Sequence, residues 1–267
     1  MDPLRGWDRA LTSWAIPEEL LAAAPESPYG FGVGLFDRRA EDAMRIETPS
    51  RRLAIQALPD KGTVLDVGCG GGAASLPLAR HVACVVGVDQ QLDMLQAFAA
   101  RAEKLGVAHQ EVHGQWPDVA LRTPIVDVVV CSHVFYNVGA LEPFVRALTA
   151  HARQCVVVEM TVEHPLAWLR PLWQHFHGLE RPTRPTVDDA VAALRQIGLV
   201  VGVERWGQQS FWKQRGDELI QFVRRRLCLG PDRDSDIRSA LDDLGLPPER
   251  RQLATLWWSP QAPGERT

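Results

Sequence analysis

Residues 64–73 read Val-Leu-Asp-Val-Gly-Cys-Gly-Gly-Gly-Ala, an apolar strand that runs straight into a glycine cluster and then into a segment with helical character. Glycine suits that junction because the chain turns sharply there and a ligand can approach a backbone that carries no Cβ. Asp89 stands at the end of the next apolar run, Val-Val-Gly-Val-Asp-Gln over 85–90. A carboxylate at the tip of a second strand is placed to accept both hydroxyls of an adenosine ribose. Strand, glycine turn, helix, strand, acid is the pattern of a parallel sheet built to hold a nucleoside.

Outward from this stretch the same alternation continues. Apolar runs predict strands over 63–67, 83–88, 108–113, 125–131, 154–160, 199–206 and 252–258, with helices over 73–81, 92–105, 140–152 and 186–196 between them. The run Val-Asp-Val-Val-Val-Cys at 126–131 is apolar enough for a central strand, and Leu92, Leu95, Phe98, Ala99 and Ala102 repeat at helical spacing. Thr186-x-Asp188-Asp189 is a capping pattern, and Gly198 a helix stop. The fold class is therefore α/β, a Rossmann-like, seven-stranded, mostly parallel sheet with helices on both faces and a helical cap. The plan is a cap segment at 1–60 containing a Gly/Phe-rich loop at 29–36, a nucleoside-binding core at 61–160 and a second cap segment at 161–185. The rest of the sheet follows at 186–206 and 252–267, interrupted by a helical insertion at 207–251 with helices over 217–227 and 234–244.

Composition narrows the function classes. Lys+Arg 29 against Asp+Glu 33 leaves a net charge of −4, which offers no bulk attraction to nucleic acid or to an anionic membrane. Cys69, Cys84, Cys131, Cys155 and Cys228 are odd in number and lie far apart, so buried thiols in a reducing compartment are expected rather than disulfides. Asp2, Arg5, Asp8 and Arg9 break up the N-terminal apolar residues, and no apolar run approaches the roughly 20 residues that span a bilayer. A soluble, cytoplasmic protein is expected, of unspecified oligomeric state.

Gly68-x-Gly70-x-x-Ala73 also satisfies the dinucleotide fingerprint, so an NAD-dependent oxidoreductase is a competing reading. Asp66 argues against it, because a carboxylate two residues before the first glycine would sit beside a pyrophosphate, whereas a ligand with an α-amino group welcomes the charge. With that residue included, Val-Leu-Asp-Val-Gly-Cys-Gly-Gly-Gly followed by Val-Val-Gly-Val-Asp-Gln resembles motifs I and II of the class I S-adenosylmethionine-dependent methyltransferases, over roughly residues 60–160. The resemblance implies a final strand running antiparallel between its neighbours. It also implies S-adenosyl-L-methionine as cofactor and S-adenosyl-L-homocysteine as product. Gly68 and Gly70 would admit the methionine part, Asp66 would shape that site, and Asp89 would hold the ribose, with Gln90 beside the adenine and Met94 packed near it. Gln115 and Trp116 match the family's adenine segment, where Gln115 replaces the usual acid and can still accept from the adenine amino group. Ser132 and His133 fall in the segment beneath the sulfonium; the Asn/Asp-Pro-Pro-aromatic motif of enzymes that methylate DNA amino groups is not present there.

Transfer of a methyl group from a sulfonium is an in-line displacement that needs alignment and, for an oxygen or nitrogen acceptor, a base. The base is left unassigned: His133 is nearest in sequence to the reacting centre, and His164, His175 and His177 lie in a segment that can close over an acceptor. His175-x-His177 is half of a metal site with nothing nearby to complete it, so no metal is expected. Arg224-Arg225-Arg226 reads as a solvated helix face. The resulting expectation is a methyltransferase acting on a small organic acceptor. The alternatives are an enzyme modifying tRNA or protein and a catalytically silent protein that keeps the cofactor fold.

Overall fold

The computed structural model describes residues 2–29, 42–210, 212 and 216–260; most of the expected Gly/Phe loop and Phe211 lie outside them. Among these residues seven strands form one sheet: β1 (Gly62–Val67), β2 (Val82–Asp89), β3 (Ala108–His113), β4 (Val126–Ser132), β5 (Ala152–Thr161), β6 (Gly202–Gln209) and β7 (Arg250–Trp258). Their spatial order is β3-β2-β1-β4-β5-β7-β6; the run from β3 to β5 pairs in parallel throughout, and β7 is antiparallel to both β5 and β6. Chain order reverses between β1 and β4, so a crevice opens at the carboxyl ends of those strands. The Rossmann-like sheet and its reversed last strand are therefore as the sequence implies.

Parallel strands covered on both faces must be apolar on both sides, and β1 and β4 are buried along almost their whole length. Leu65, Val67, Val129, Cys131, Val156 and Val158 pack on one face beneath α1 (Pro3–Thr12), α5 (Leu141–His151) and α7 (Val187–Gln196). Val64, Val85, Val128, Val130 and Val157 pack on the other beneath α3 (Pro49–Ala57) and α4 (Leu92–Leu105). The Thr186–Asp189 capping box forms as read, and all five cysteines are free thiols, four of them buried. Among the described residues no helix is long and apolar enough to cross a membrane.

Three differences from the sequence reading have local causes. The expected helix at 73–81 is a run of turns and one short 3-10 turn, Leu76–Leu78. Pro77 has no N–H to give to Ala73, and its ring would clash with that carbonyl in an α-helix. β6 starts at Gly202 rather than 199 because the end of α7 uses the intervening residues: Gly198 turns at φ +89, and the Leu199 amide bonds back to Leu194. Gly202 also lies against the indole of Trp257, where a Cβ would come within 2.2 Å. The third concerns residues 1–60, which do not form one cap segment. α1 inserts Trp7, fully buried with its Nε1–H donating to Val138 O at 2.7 Å, against α5 and α7, while α3 covers the sheet.

Among the described residues of 1–60, α2 (Glu18–Ala23) and its flanks join the cap proper. There Ile16 and Leu20 pack with Leu172 and Trp173 of α6 (Arg170–His177), Ile220 and Val223 of α8 (Gly216–Arg226), and Ile237 and Leu241 of α9 (Asp234–Asp243). The arginine run at the end of α8 is not a solvated face. Arg225 donates to Ser27 O and Tyr29 O, Arg226 donates to Pro28 O from a buried position, and Arg224 pairs with Asp234 and Glu26. It clamps residues 26–29 onto the cap.

Candidate functional site

The glycine turn after β1 is held by the tip of β2. The amides of Gly68 and Cys69 both donate to Val88 O, at 2.8 and 3.0 Å, while Gly68 and Gly70 take φ values of +72 and +50. A Cβ on Gly68 would stand 2.4 Å from Cγ2 of Val134, so only glycine lets the loop pass beneath the segment that follows β4. Asp89 closes the same turn: Oδ2 accepts from the Gly70 amide and Oδ1 from the Gln91 amide, each at 2.9 Å. Each carboxylate oxygen keeps a second lone pair for an incoming hydroxyl.

Asp66 points into the core beneath this turn and is 1% exposed. Its Oδ2 accepts from Ser75 Oγ at 2.6 Å, but its Oδ1 has no partner. Burial pushes the pKa up to about 7, the nearby Asp89 charge adds to the rise, and the Ser75 hydrogen bond opposes it. An isolated buried carboxylate oxygen is costly unless it meets a donor or a cation.

Asp66 is among the residues around a cavity of about 560 Å³, within the ~300–1,000 Å³ of small-molecule sites. Gly68, Gly70, Ser132 and His133 line it together with Thr48, Ser50 and Arg51 from the start of α3, Glu159 and Arg251. His133 follows β4 with φ +61, an uncommon conformation for histidine, and its amide donates to Glu159 O at 2.7 Å. Its Nε2 lies 3.4 Å from Glu159 Oε1. Ser50 Oγ donates to Glu159 Oε2 at 2.6 Å and stands 2.7 Å from Thr255 Oγ1, which also receives the Trp206 indole N–H at 3.1 Å. Burial alone would raise the Glu159 pKa; the His133 and Ser50 hydrogen bonds and the Arg251 charge outweigh it and hold the carboxyl below its ordinary value. The site thus contains an imidazole oriented by an ionised carboxylate.

Of the residues singled out in the sequence, Asp66, Gly68, Gly70, Ser132 and His133 share the cavity wall. Asp89 and Gln90 lie just beyond it, joined to the β3 end through Gly114 N to Asp89 O at 3.0 Å and His113 Nε2 to Gln90 O at 3.1 Å. Gln115 is exposed next to this junction, and Met94 is buried in α4. Trp116 is different: its indole is buried among the helices, donates to Phe144 O at 3.3 Å and meets His151 edge-on, so its side chain is part of the core. The cap histidines are not brought to the cavity either. His164 stacks on Trp14 at 3.8 Å and stays neutral, its pKa pushed down to about 3 by burial and by Arg181 and Arg226. His177 is engaged with Leu227 O at 2.7 Å and His175 packs edge-on against Phe176. Among the described residues no group of acids, histidines and cysteines could hold a metal ion.

Ser50, Glu159 and Arg251 were not singled out in the sequence. Glu159 had a readable signal, as the one acid inside the apolar run Val-Val-Val-Glu-Met. Ser50 and Arg251 had none.

The orphaned Asp66 oxygen and the Cβ-free turn are what a ligand with an ammonium group and a close-lying backbone requires, which fits S-adenosylmethionine and disfavours a pyrophosphate. Comparisons with known proteins agree. A family model described as a methyltransferase domain matches residues 64–155. The ubiquinone biosynthesis O-methyltransferase of Methylobacterium sp. (strain 4-46) is 35% identical over 180 residues, covering 60% of this chain and 70% of that enzyme. A 23S rRNA (uracil(1939)-C(5))-methyltransferase of Hahella chejuensis is 44% identical over 102 residues, which cover 35% of this chain and 22% of that protein. The fold matches a cyclopropane-fatty-acyl-phospholipid synthase-like protein of Lactobacillus casei with a TM-score of 0.57 at 16% identity, over 94% of this chain and 99% of that one. With the glycine turn, the acid at the end of β2 and the reversed last strand all in place, the chain belongs to the class I S-adenosylmethionine-dependent methyltransferases.

Proposed function

We propose that the enzyme methylates a hydroxyl group of a small organic acceptor, with His133 as general base. The observation that carries this reading is the His133–Glu159 pair in the wall of the cavity that also holds Asp66 and the glycine turn. S-adenosylmethionine supplies an electrophilic methyl group on a sulfonium and is left as S-adenosylhomocysteine. The protein's share is positioning and a proton. Asp66 takes the ammonium of the methionine part, Gly68 and Gly70 admit its chain, and Asp89 accepts from the ribose hydroxyls. Gln90 and Gln115 border the adenine, Met94 backs it from the core, and Trp116 contributes through its backbone. Glu159, beside Nε2, orients the imidazole of His133 and stabilises the imidazolium that forms.

The O-methyltransferase relative and the mild net acidity support a small acceptor. The free thiols suit a cytoplasmic setting. The direct test is incubation with methyl-labelled S-adenosylmethionine and a set of phenols alongside their methyl ethers. Label entering the phenols and not the ethers is expected; label entering neither, or entering protein or RNA instead, would exclude the reading. A second expectation concerns Asp89→Asn, which keeps the size but removes the charge from both ribose bonds. Affinity for S-adenosylhomocysteine should fall about tenfold, read by calorimetry.

A further inference from the structure

The cavity wall carries a charge that no group among the described residues neutralises within ion-pair distance. Arg251, at the start of β7, lines the wall with Gln208, Ser210 and the exposed Arg45. It shares a sheet face with Thr255, four residues on, which is the register partner of Glu159. Arg251 therefore looks along the same face as the His133–Glu159 pair, nearer the rim. Glu159 does not consume it: the two carboxylate oxygens are engaged by Ser50 and His133. Among the described residues Arg251 makes no side-chain hydrogen bond and no ion pair within 4 Å, and its pKa is lowered by burial, with the Glu159 charge opposing. Asp42, the other carboxylate on this rim, is exposed. The half-buried guanidinium faces the cavity with hydrogen-bonding capacity to spare, and a planar fork is the geometry that takes two oxygens of one anionic group. Gln208, its cross-strand partner, and Ser210 add neutral hydrogen-bonding groups at the same place.

We propose that Arg251 anchors an anionic oxygen group, a carboxylate or a phosphate monoester, carried by the methyl acceptor, so that the substrate is an acidic small molecule held with its hydroxyl toward His133. This rests on the methyl-transfer reading and adds the acceptor's chemical class to it. Arg251 is a specificity-determining residue under this assignment and takes no part in proton transfer.

The test is calorimetry on enzyme saturated with S-adenosylhomocysteine, using benzoate, phenyl phosphate and the neutral benzamide. The wild type is expected to bind one of the anions at least about tenfold more tightly than benzamide. Arg251→Gln should reduce that preference to about twofold or less, and Arg251→Lys, which keeps the charge without the fork, should fall between. Both variants should bind S-adenosylhomocysteine within about threefold of wild type, which reports that they are folded. The preferred anion separates carboxylate from phosphate. Equal binding of anions and benzamide by the wild type, or a preference that survives Arg251→Gln, overturns the assignment while leaving methyl transfer standing. Failure of the wild type to bind S-adenosylhomocysteine overturns the methyl-transfer reading, and this assignment with it.

Discussion

His133→Ala is expected to lower kcat about 10²–10³-fold, the usual contribution of a positioned general base, while affinity for S-adenosylhomocysteine changes by less than about threefold. The imidazole is paired with Glu159, whereas Asp66 is bonded to Ser75 and Asp89 to the glycine turn, so its loss removes the proposed proton acceptor and leaves those hydrogen bonds in place. His133→Asn is the control for folding, because asparagine tolerates the left-handed backbone that His133 adopts at φ +61. Both variants should lose rate alike, and added imidazole should restore part of it in the alanine variant. Glu159→Gln keeps a group that can accept from Ser50 but removes the negative charge beside the ring. Its kcat should fall about tenfold, and the acidic limb of its pH–rate profile should move to lower pH, since the imidazolium is no longer favoured by a neighbouring anion. A purely structural role for the pair would lower cofactor affinity and melting temperature together and would leave the pH profile in place.

Asp66→Asn should weaken S-adenosylmethionine binding about 100-fold at pH 8 and at the same time make the ligand-free protein more stable. The two effects have one origin, a buried carboxylate with an orphaned oxygen. Its pKa is raised from 3.8 to about 7 in the folded protein, so the native state binds the proton more tightly than the unfolded chain. The stability tied to that proton is fully present below about pH 4 and is lost as pH rises through 7. A rise of that size corresponds to on the order of 4 kcal/mol as an upper bound. The unpaired amide N–H₂ of the variant offsets part of this, leaving a net gain of on the order of 2 kcal/mol at pH 8 that disappears toward pH 4. Urea denaturation at the two pH values measures it. Binding should show the complementary dependence. Wild-type affinity should drop about tenfold from pH 8 to pH 6 as Asp66 takes up a proton, whereas the Asn variant should be flat by comparison. Reduced stability of Asp66→Asn at pH 8, or unchanged cofactor affinity, would take Asp66 out of the ammonium site.

The parts of the molecule that could be read in advance are those whose cause is local. A parallel strand covered on both faces must be apolar along most of its length, as Val64–Val67 and Val126–Cys131 are apart from Asp66 and Asp127. A turn beneath a ligand must dispense with Cβ, and Gly68 does. A helix start needs a cap, and Thr186 with Asp189 supplies one. Even the errors of the reading at 73–81 and 199–201 concern local chemistry, a proline that forbids an α-helix and a glycine-terminated helix that uses up the following residues.

The chain order alone thus determined the α/β core, the nucleoside-binding turn and its acidic partner, because hydrophobic period, glycine and capping act over a few residues. Only the tertiary structure decided which polar groups meet. Ser50, His133, Glu159 and Arg251 come from four separate segments and converge because α3 lies across the ends of β4, β5 and β7. Trp116 and His164 carry side chains that could equally line a site, and packing placed both in the interior. The described helices of the first 60 residues, α1, α2 and α3, were divided between the sheet faces and the cap in the same way. Burial and pairing depend on neighbours distant in sequence, and the pattern along one chain holds no record of them.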